Sequence, residues 1–292
     1  MLKKIRNSPA FWEEHKKKGM AMLRQIGCPT FFLTLSAAES RWEELLVMLK
    51  KTVYNEDITE EQARNMRYQE KYDLIRKDPV TCAQYFKQRS GAVFNLLKRE
   101  GSPFHPHPLV DFQKRDEFQH RGSAHLHSVL WLQDSPRFVP GNADSERECI
   151  QFIDRYITCA EDGAPAELVA YQRHKHTACC SRVVNRKKVC RFGFPLFPMS
   201  QTRILHPLDL NERQQAIDVD LTGRLATIKR LLTHLWKRRG PITESFQDML
   251  RLLNLSEADY IMAIRSSLKS TKVFLRRKPS EIKINPYNPE LL

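Results

Sequence analysis

"EFQHRGSAHLHSVLWL", residues 117–132, places His125 and His127 one residue apart, with apolar Leu126 between them and an apolar run behind. Side chains alternate along a strand, so residues i and i+2 share a face. Both imidazoles therefore project to one side while Leu126 points to the other. Just upstream, "VDFQKRDEFQ" (110–119) has strand texture, and Arg121-Gly122-Ser123 separates it from "AHLHSVLWL" (124–132). The two segments read as an antiparallel hairpin. Glu117 and Gln119 form a second i, i+2 pair on the neighbouring strand. Two imidazole nitrogens with a carboxylate or amide oxygen suit Mg²⁺ or Mn²⁺, with positions left open for a substrate phosphate. Glu117 is the better hard-cation ligand and Gln119 lies closer to the turn, so both stand as candidates. H-x-H also arises by chance, and two solvent-facing strand histidines are the plain alternative.

Working outward, "TFFLTLSA" (30–37) reads as a buried strand and "AESRWEELLVMLKK" (38–51) as a helix. The polar stretch 55–77 reads as a helix or a mobile insertion. Asp78-Pro79 opens a further helix that runs to about residue 98. "SPFHPHPL" (102–109) is a proline-dense loop. A helix over 144–160 follows. From 211 to 269 the texture is helical, with "SEADYIMAIRSSLKS" capped by Ser256, and "KVFLRRKP" reads as a late strand. The fold class is α+β, an antiparallel sheet with packed helices and the histidines on a central strand. Residues 1–25 read as a basic N-terminal segment and 26–292 as one domain.

Lys and Arg number 48 against 34 Asp and Glu, a net charge of +14. Such an excess points to a polyanionic partner, most often nucleic acid. No apolar run approaches membrane-spanning length, and the N-terminus lacks a signal-peptide pattern, so an intracellular protein without a membrane partner is expected. Seven cysteines in such a chain favour reduced thiols or metal ligands over a disulfide framework. "HKHTACCSRVVNRKKVCRFGFP" gathers His174, His176, Cys179, Cys180 and Cys190 within seventeen residues. Thiolates and imidazoles at this density favour tetrahedral Zn²⁺ as a structural staple over 172–198; the alternative is a basic loop with incidental cysteines. Arg186, Lys187, Lys188 and Arg191 surround these ligands and can contact DNA backbone. The triplets Lys237-Arg238-Arg239 and Arg276-Arg277-Lys278 can do the same or form solvated surface runs. Trp42, Trp131, Phe104 and Phe112 are candidates for base stacking, with core packing favoured for Trp131.

The phrase "EFQHRGSAHLHSVLWL", with "SPAFWEEHKKKGMAMLRQIGCPTFFLTLSAAESRW" (8–42), "DPVTCAQYFKQR" (78–89) and "INPYNPELL" (284–292), resembles the N-terminal Rep portion of Helitron transposases, the "Helitron helicase-like" domain. "HLH" followed by an apolar strand resembles the HUH motif of rolling-circle initiators and relaxases. The resemblance implies a HUH/Rep-like fold with a ferredoxin-like core, nuclear action on single-stranded DNA, and metal-assisted nicking by a tyrosine that forms a 5′-phosphotyrosine link. It points to Tyr260 as that nucleophile, among Tyr156, Tyr171, Tyr260 and Tyr287, on a helix facing the histidines. Relatives often carry a second tyrosine four residues on, where Ile264 stands here. The bland reading of Tyr260 is a core residue beside Ile261, Ile264 and Leu268. The resemblance selects His174, His176, Cys180 and Cys190 as the zinc ligands. Lys269 is placed near the reacting phosphate, or is a solvated helix-end charge. No G-x-x-x-x-G-K-[ST] phosphate loop occurs, so the chain is not expected to be an ATP-driven helicase itself; if intact relatives carry that motor, the resemblance implies that it lies in cis beyond Leu292. Two competing functions are a catalytically inactive DNA-binding remnant and a metal-dependent nuclease that activates water.

Overall fold

The computed structural model describes residues 5, 8–118, 122–177, 180–184 and 186–292. The chain divides into two compact units, Met1–Ser135 and Pro136–Leu292.

The first unit begins with α1 (Pro9–Ile26). Ser8 caps it by accepting from the Phe11 N–H at 3.1 Å, Pro9 takes the first helical position, and Gly27 at φ 83° ends it. The supposed basic segment is therefore mostly helix. After β1 (Phe31–Ser36) come α2 (Glu43–Tyr54), α3 (Glu60–Asn65), α4 (Tyr68–Lys77) and α5 (Pro79–Leu97). Leu45, Leu46, Leu49 and Leu74 form the shared core of this helical layer. The stretch 55–77 thus resolves into two short helices. Asp78 caps α5 by accepting from the Thr81 N–H at 2.9 Å.

β2 (Leu109–Phe118) and β3 (Ala124–Leu132) form the expected hairpin, with Gly122 in the left-handed region at φ 81°. The sheet order is β1-β3-β2, antiparallel throughout, which puts the histidine strand at the centre. Leu126 and Leu130 of β3 are buried on one face. On that face Phe112 stacks on Phe94 of α5, and Phe31 stacks on Phe104. The other face carries Phe32, Thr34 and Ser36 of β1, Gln113, Arg115 and Glu117 of β2, and the two histidines. α1 lies along part of this face. The Gln113 amide donates to the His15 carbonyl at 3.0 Å, the Arg115 guanidinium sits 4.1 Å from the Trp12 ring, and Trp131 Nε1–H donates to the Gly27 carbonyl at 2.8 Å. Gly19 faces Gln113 at this approach, where a Cβ would lie 2.4 Å from Oε1 and would displace the amide. Among the described residues this sheet has three strands, whereas a ferredoxin-like β-α-β-β-α-β unit has four.

The second unit opens with α6 (Ala143–Tyr156) and α7 (Ala166–Gln172). A small hairpin follows, β4 (Ser181–Val184) with β5 (Lys187–Cys190). β6 (Arg203–Leu205) pairs with β7 (Lys272–Phe274), and between them run α8 (Leu210–Gln215), α9 (Leu221–Lys237), α10 (Phe246–Leu253) and α11 (Glu257–Arg265). Ile228, Leu232, Met249, Ala263 and Ile264 make the core of these helices. The architecture is α+β, with small antiparallel sheets and packed helices. Among the described residues, no helix is long and apolar enough to cross a membrane.

Candidate functional site

Strand register assembles the histidine face. His125 lies opposite Ser36 on one side and Glu117 on the other; His127 lies opposite Thr34 and Arg115. His125 Nδ1 shares a hydrogen bond with Ser36 Oγ at 2.9 Å, and His127 Nδ1 with Thr34 Oγ1 at 3.3 Å. The tautomer that donates from Nδ1 leaves the Nε2 lone pair for a cation, as in sites where an outer hydrogen bond orients a ligating imidazole. The two rings meet edge to face at 4.5 Å. Glu117 Oε2 lies 3.6 Å from His127 Nε2, and Glu117 Oε1 takes an ion pair from Arg115 at 3.2 Å. Burial holds the His125 pKa below the usual imidazole value, helped by neighbouring His127 and opposed by Glu117. The neutral, ligating form is thereby favoured. Two imidazoles and a carboxylate are a fitting donor set for Mg²⁺ or Mn²⁺. Gln119, the alternative oxygen donor, lies outside the described residues.

Tyr260 occupies a different setting from the one expected of a nucleophile. It lies in the second unit, 0% exposed, in the core with Met249, Ala263 and Ile264. Its hydroxyl donates to the Pro198 carbonyl at 3.1 Å, and its ring meets Phe246 edge on. Burial pushes its pKa far up, so the phenolate is disfavoured. α11 turns the side chain inward because Tyr260, Ala263 and Ile264 share its apolar stripe. Of the other candidates, Tyr156 and Tyr287 are buried, Tyr287 donating to the Ala160 carbonyl at 2.6 Å, and Tyr171 is exposed.

The proposed phosphate contacts separate as well. Lys188, Arg191, Lys269 and Arg276 are exposed. Arg277 is not: it is 3% exposed and donates to the carbonyls of Glu281 and Ile284, which makes it a structural cation. The side chain of Lys187 lies outside the described residues. Among the stacking candidates, Phe104 and Trp131 are buried, Phe112 packs on α5, and Trp42 packs against Tyr85. Phe32 is the large aromatic left on the histidine face, and the sequence reading placed it inside a buried strand. The alternation Phe32-Thr34-Ser36 against Phe31-Leu33-Leu35 carried the signal.

The Cys/His run does converge. One donor atom from each of His174, His176, Cys180 and Cys190 lies within 4.8 Å of all the others, an arrangement that could hold a metal ion. The β4–β5 hairpin brings this about: Ser181 pairs with Cys190, so Cys180 and Cys190 flank its open end. Cys180 Sγ lies 3.5 Å from His176 Nδ1, and Cys190 Sγ lies 3.4 Å from His174 Nε2. A tetrahedral ion bonded at about 2.3 Å to sulfur and about 2.05 Å to nitrogen spaces such ligands about 3.5 Å apart. His174 stacks on Phe194 at 4.3 Å and His176 tilts against Trp236 at 4.4 Å, which fixes both rings. Cys179 lies outside the described residues.

Residues 1–130 match the family model described as the Helitron helicase-like domain at the N-terminus. No curated protein and no solved structure matches the chain. The match takes in β1, β2 and most of β3, with both histidines and Glu117. Over residues 1–130 the chain is thus similar to the helicase-like N-terminal domain of the Helitron family.

Proposed function

We propose that this chain nicks and rejoins single-stranded DNA for a Helitron-type rolling-circle element, using Mg²⁺ or Mn²⁺ held by His125, His127 and Glu117. The observation that carries the reading is the pair of imidazoles on one central strand, each tied through Nδ1 to a β1 hydroxyl, beside a carboxylate. A cation bound there would polarise a phosphate oxygen and offset the charge that develops in the transition state. Ser36 and Thr34 orient the rings. In the transfer step a phenol oxygen bonds to phosphorus and the bond to the 3′ oxygen breaks. That oxygen leaves as a hydroxyl with the proton the phenol gave up. The 5′-phosphotyrosine link keeps the bond energy for rejoining.

Tyr260 can supply this phenol only if α11 leaves its core, because its hydroxyl is sealed against Pro198. That burial favours a second reading, in which the same metal face activates water and hydrolyses the strand. In either case the His174, His176, Cys180 and Cys190 group would hold structural Zn²⁺, and Lys188, Arg191, Lys269 and Arg276 would contact backbone phosphates.

End-labelled single-stranded DNA incubated with Mn²⁺ and run on a denaturing gel tests both. The transesterase gives a shifted, protease-sensitive band that disappears in His127→Ala; its loss in Tyr260→Phe would assign the phenol. Cleavage without an adduct, equal in wild type and Tyr260→Phe, establishes hydrolysis instead. DNA binding without any cleavage would leave an inactive binding remnant and overturn both.

A further inference from the structure

Thr34 and Ser36 are the polar neighbours of Phe32 on the open side of β1, and each is committed to a histidine. Phe32 is 66% exposed on the same side. A single exposed phenylalanine needs no explanation by itself. This one has a particular setting. Its ring lies 5.4 Å from the His127 ring at an interplanar angle of 23°, so one face is taken by the histidine. Its exposure leaves the other face to solvent. It also lines a cavity of about 430 Å³ with Trp12, His15, Lys16, Arg115 and His127. Trp12 is the less open ring of the two: it is only partly exposed and one of its faces is covered by the Arg115 guanidinium at 4.1 Å.

A concave patch with cations along it and one open aromatic ring is the combination that holds single-stranded nucleic acid. The cations track the backbone and the ring takes a base. We propose that Phe32 is a stacking platform for the base of an unpaired nucleotide whose backbone runs along the histidine face past Lys16 and Arg115. This rests on the reading of that face as a DNA site. The base on the outer face of Phe32 belongs to a nucleotide next to the phosphate at the histidines, since His127 fills the inner face. Duplex is excluded from this position, because a base must leave its own stack to lie on the ring. Phe32 is a positioning residue: it holds the strand and does not touch the reacting atoms.

The test uses the full chain and a fluorescein-labelled oligothymidylate, with binding followed by anisotropy in EDTA. Phe32→Ala is expected to weaken binding about tenfold or more, and Phe32→Trp to restore it. Phe32→Ala should keep the wild-type melting temperature, because the side chain is mostly exposed. In a set of oligothymidylates each with one abasic site, wild type should lose affinity at one position and Phe32→Ala should not. For nicking, KM should rise while kcat moves less. Binding of Phe32→Ala within about twofold of wild type, or an equal loss on duplex, overturns the proposal. A chain that binds in a Phe32-dependent way but never cleaves keeps the platform and loses the nickase reading. A chain that cleaves equally with and without Phe32 loses the platform alone.

Discussion

Arg276 and Arg277 are adjacent in sequence and opposite in consequence. Arg276 is exposed, while Arg277 is buried with its guanidinium spent on two main-chain carbonyls. Burial lowers the Arg277 pKa, yet those carbonyls need the donor, so the side chain works for the fold. Arg277→Gln should destabilise the protein by about 3 kcal/mol, read by chemical denaturation, because charged donors are lost and their acceptors are left buried. Arg276→Gln should leave stability unchanged and weaken DNA binding. The reverse pattern would mean that the side chains exchange places in solution. Tyr260 follows the same logic. Tyr260→Phe removes one buried hydrogen bond to Pro198 and should cost about 1 kcal/mol in the same measurement. Any larger loss of nicking than of stability would return the phenol to the reaction. No feature of the triplet or of the α11 stripe separates these roles in the sequence alone, because a lysine- and arginine-rich run and a helical tyrosine each fit both surface and core until the partners across the chain are known.

At the level of elements, capping and metal geometry give sharper expectations. Asp78 starts α5, and its hydrogen bonds from the Thr81 hydroxyl and N–H lower its pKa below the ordinary aspartate value. A lowered carboxylate pKa in the folded state contributes stability above the unfolded value, and that contribution is lost as pH falls through the folded one. Asp78→Ala should therefore cost about 1 kcal/mol at neutral pH, with the gap to wild type closing as the solution is acidified past the ordinary aspartate range. A gap that stays constant well below that range would remove the carboxylate from the account. The β4–β5 hairpin is short and carries exposed Val183 and Val184, so it has little core of its own. If its four ligands hold a metal, a chelator should lower the melting temperature of wild type, and Cys190→Ser should start low and ignore the chelator. The hairpin of β2 and β3 and the gathering of Cys and His over 174–190 were legible because short-range rules govern them: alternation, a glycine turn, and ligands close in sequence; the choice of four ligands among those five residues came from the family resemblance. α1 was missed although Ser8, Pro9 and Gly27 bracket it, because its run of lysines reads as a tail until Trp12 and Gly19 find Arg115 and Gln113 on the sheet. Phe32 was missed because two adjacent phenylalanines hide which one faces the core.

For the whole molecule, the excess of 48 Lys and Arg over 34 Asp and Glu sets how DNA affinity responds to salt. Each phosphate neutralised on a single strand contributes about −0.7 to the slope of log K against log salt. Contact with about five phosphates gives a slope near −3.5, so a fourfold rise in salt should weaken binding roughly a hundredfold. The substitutions separate on this plot. Arg276→Gln should make the slope shallower by about 0.7, since one counterion release is lost. Phe32→Ala should shift the line down and keep its slope, because a stacked base displaces no counterion. Many of the cations are already engaged within the fold: Arg64 with Glu43, Arg265 with Glu212, Arg238 with Glu244. The slope therefore counts exposed cations on the strand's path and not the net charge of +14. A wild-type slope near zero would mean that the basic composition serves something other than a nucleic-acid backbone, and the DNA reading of the histidine face would lose its electrostatic support.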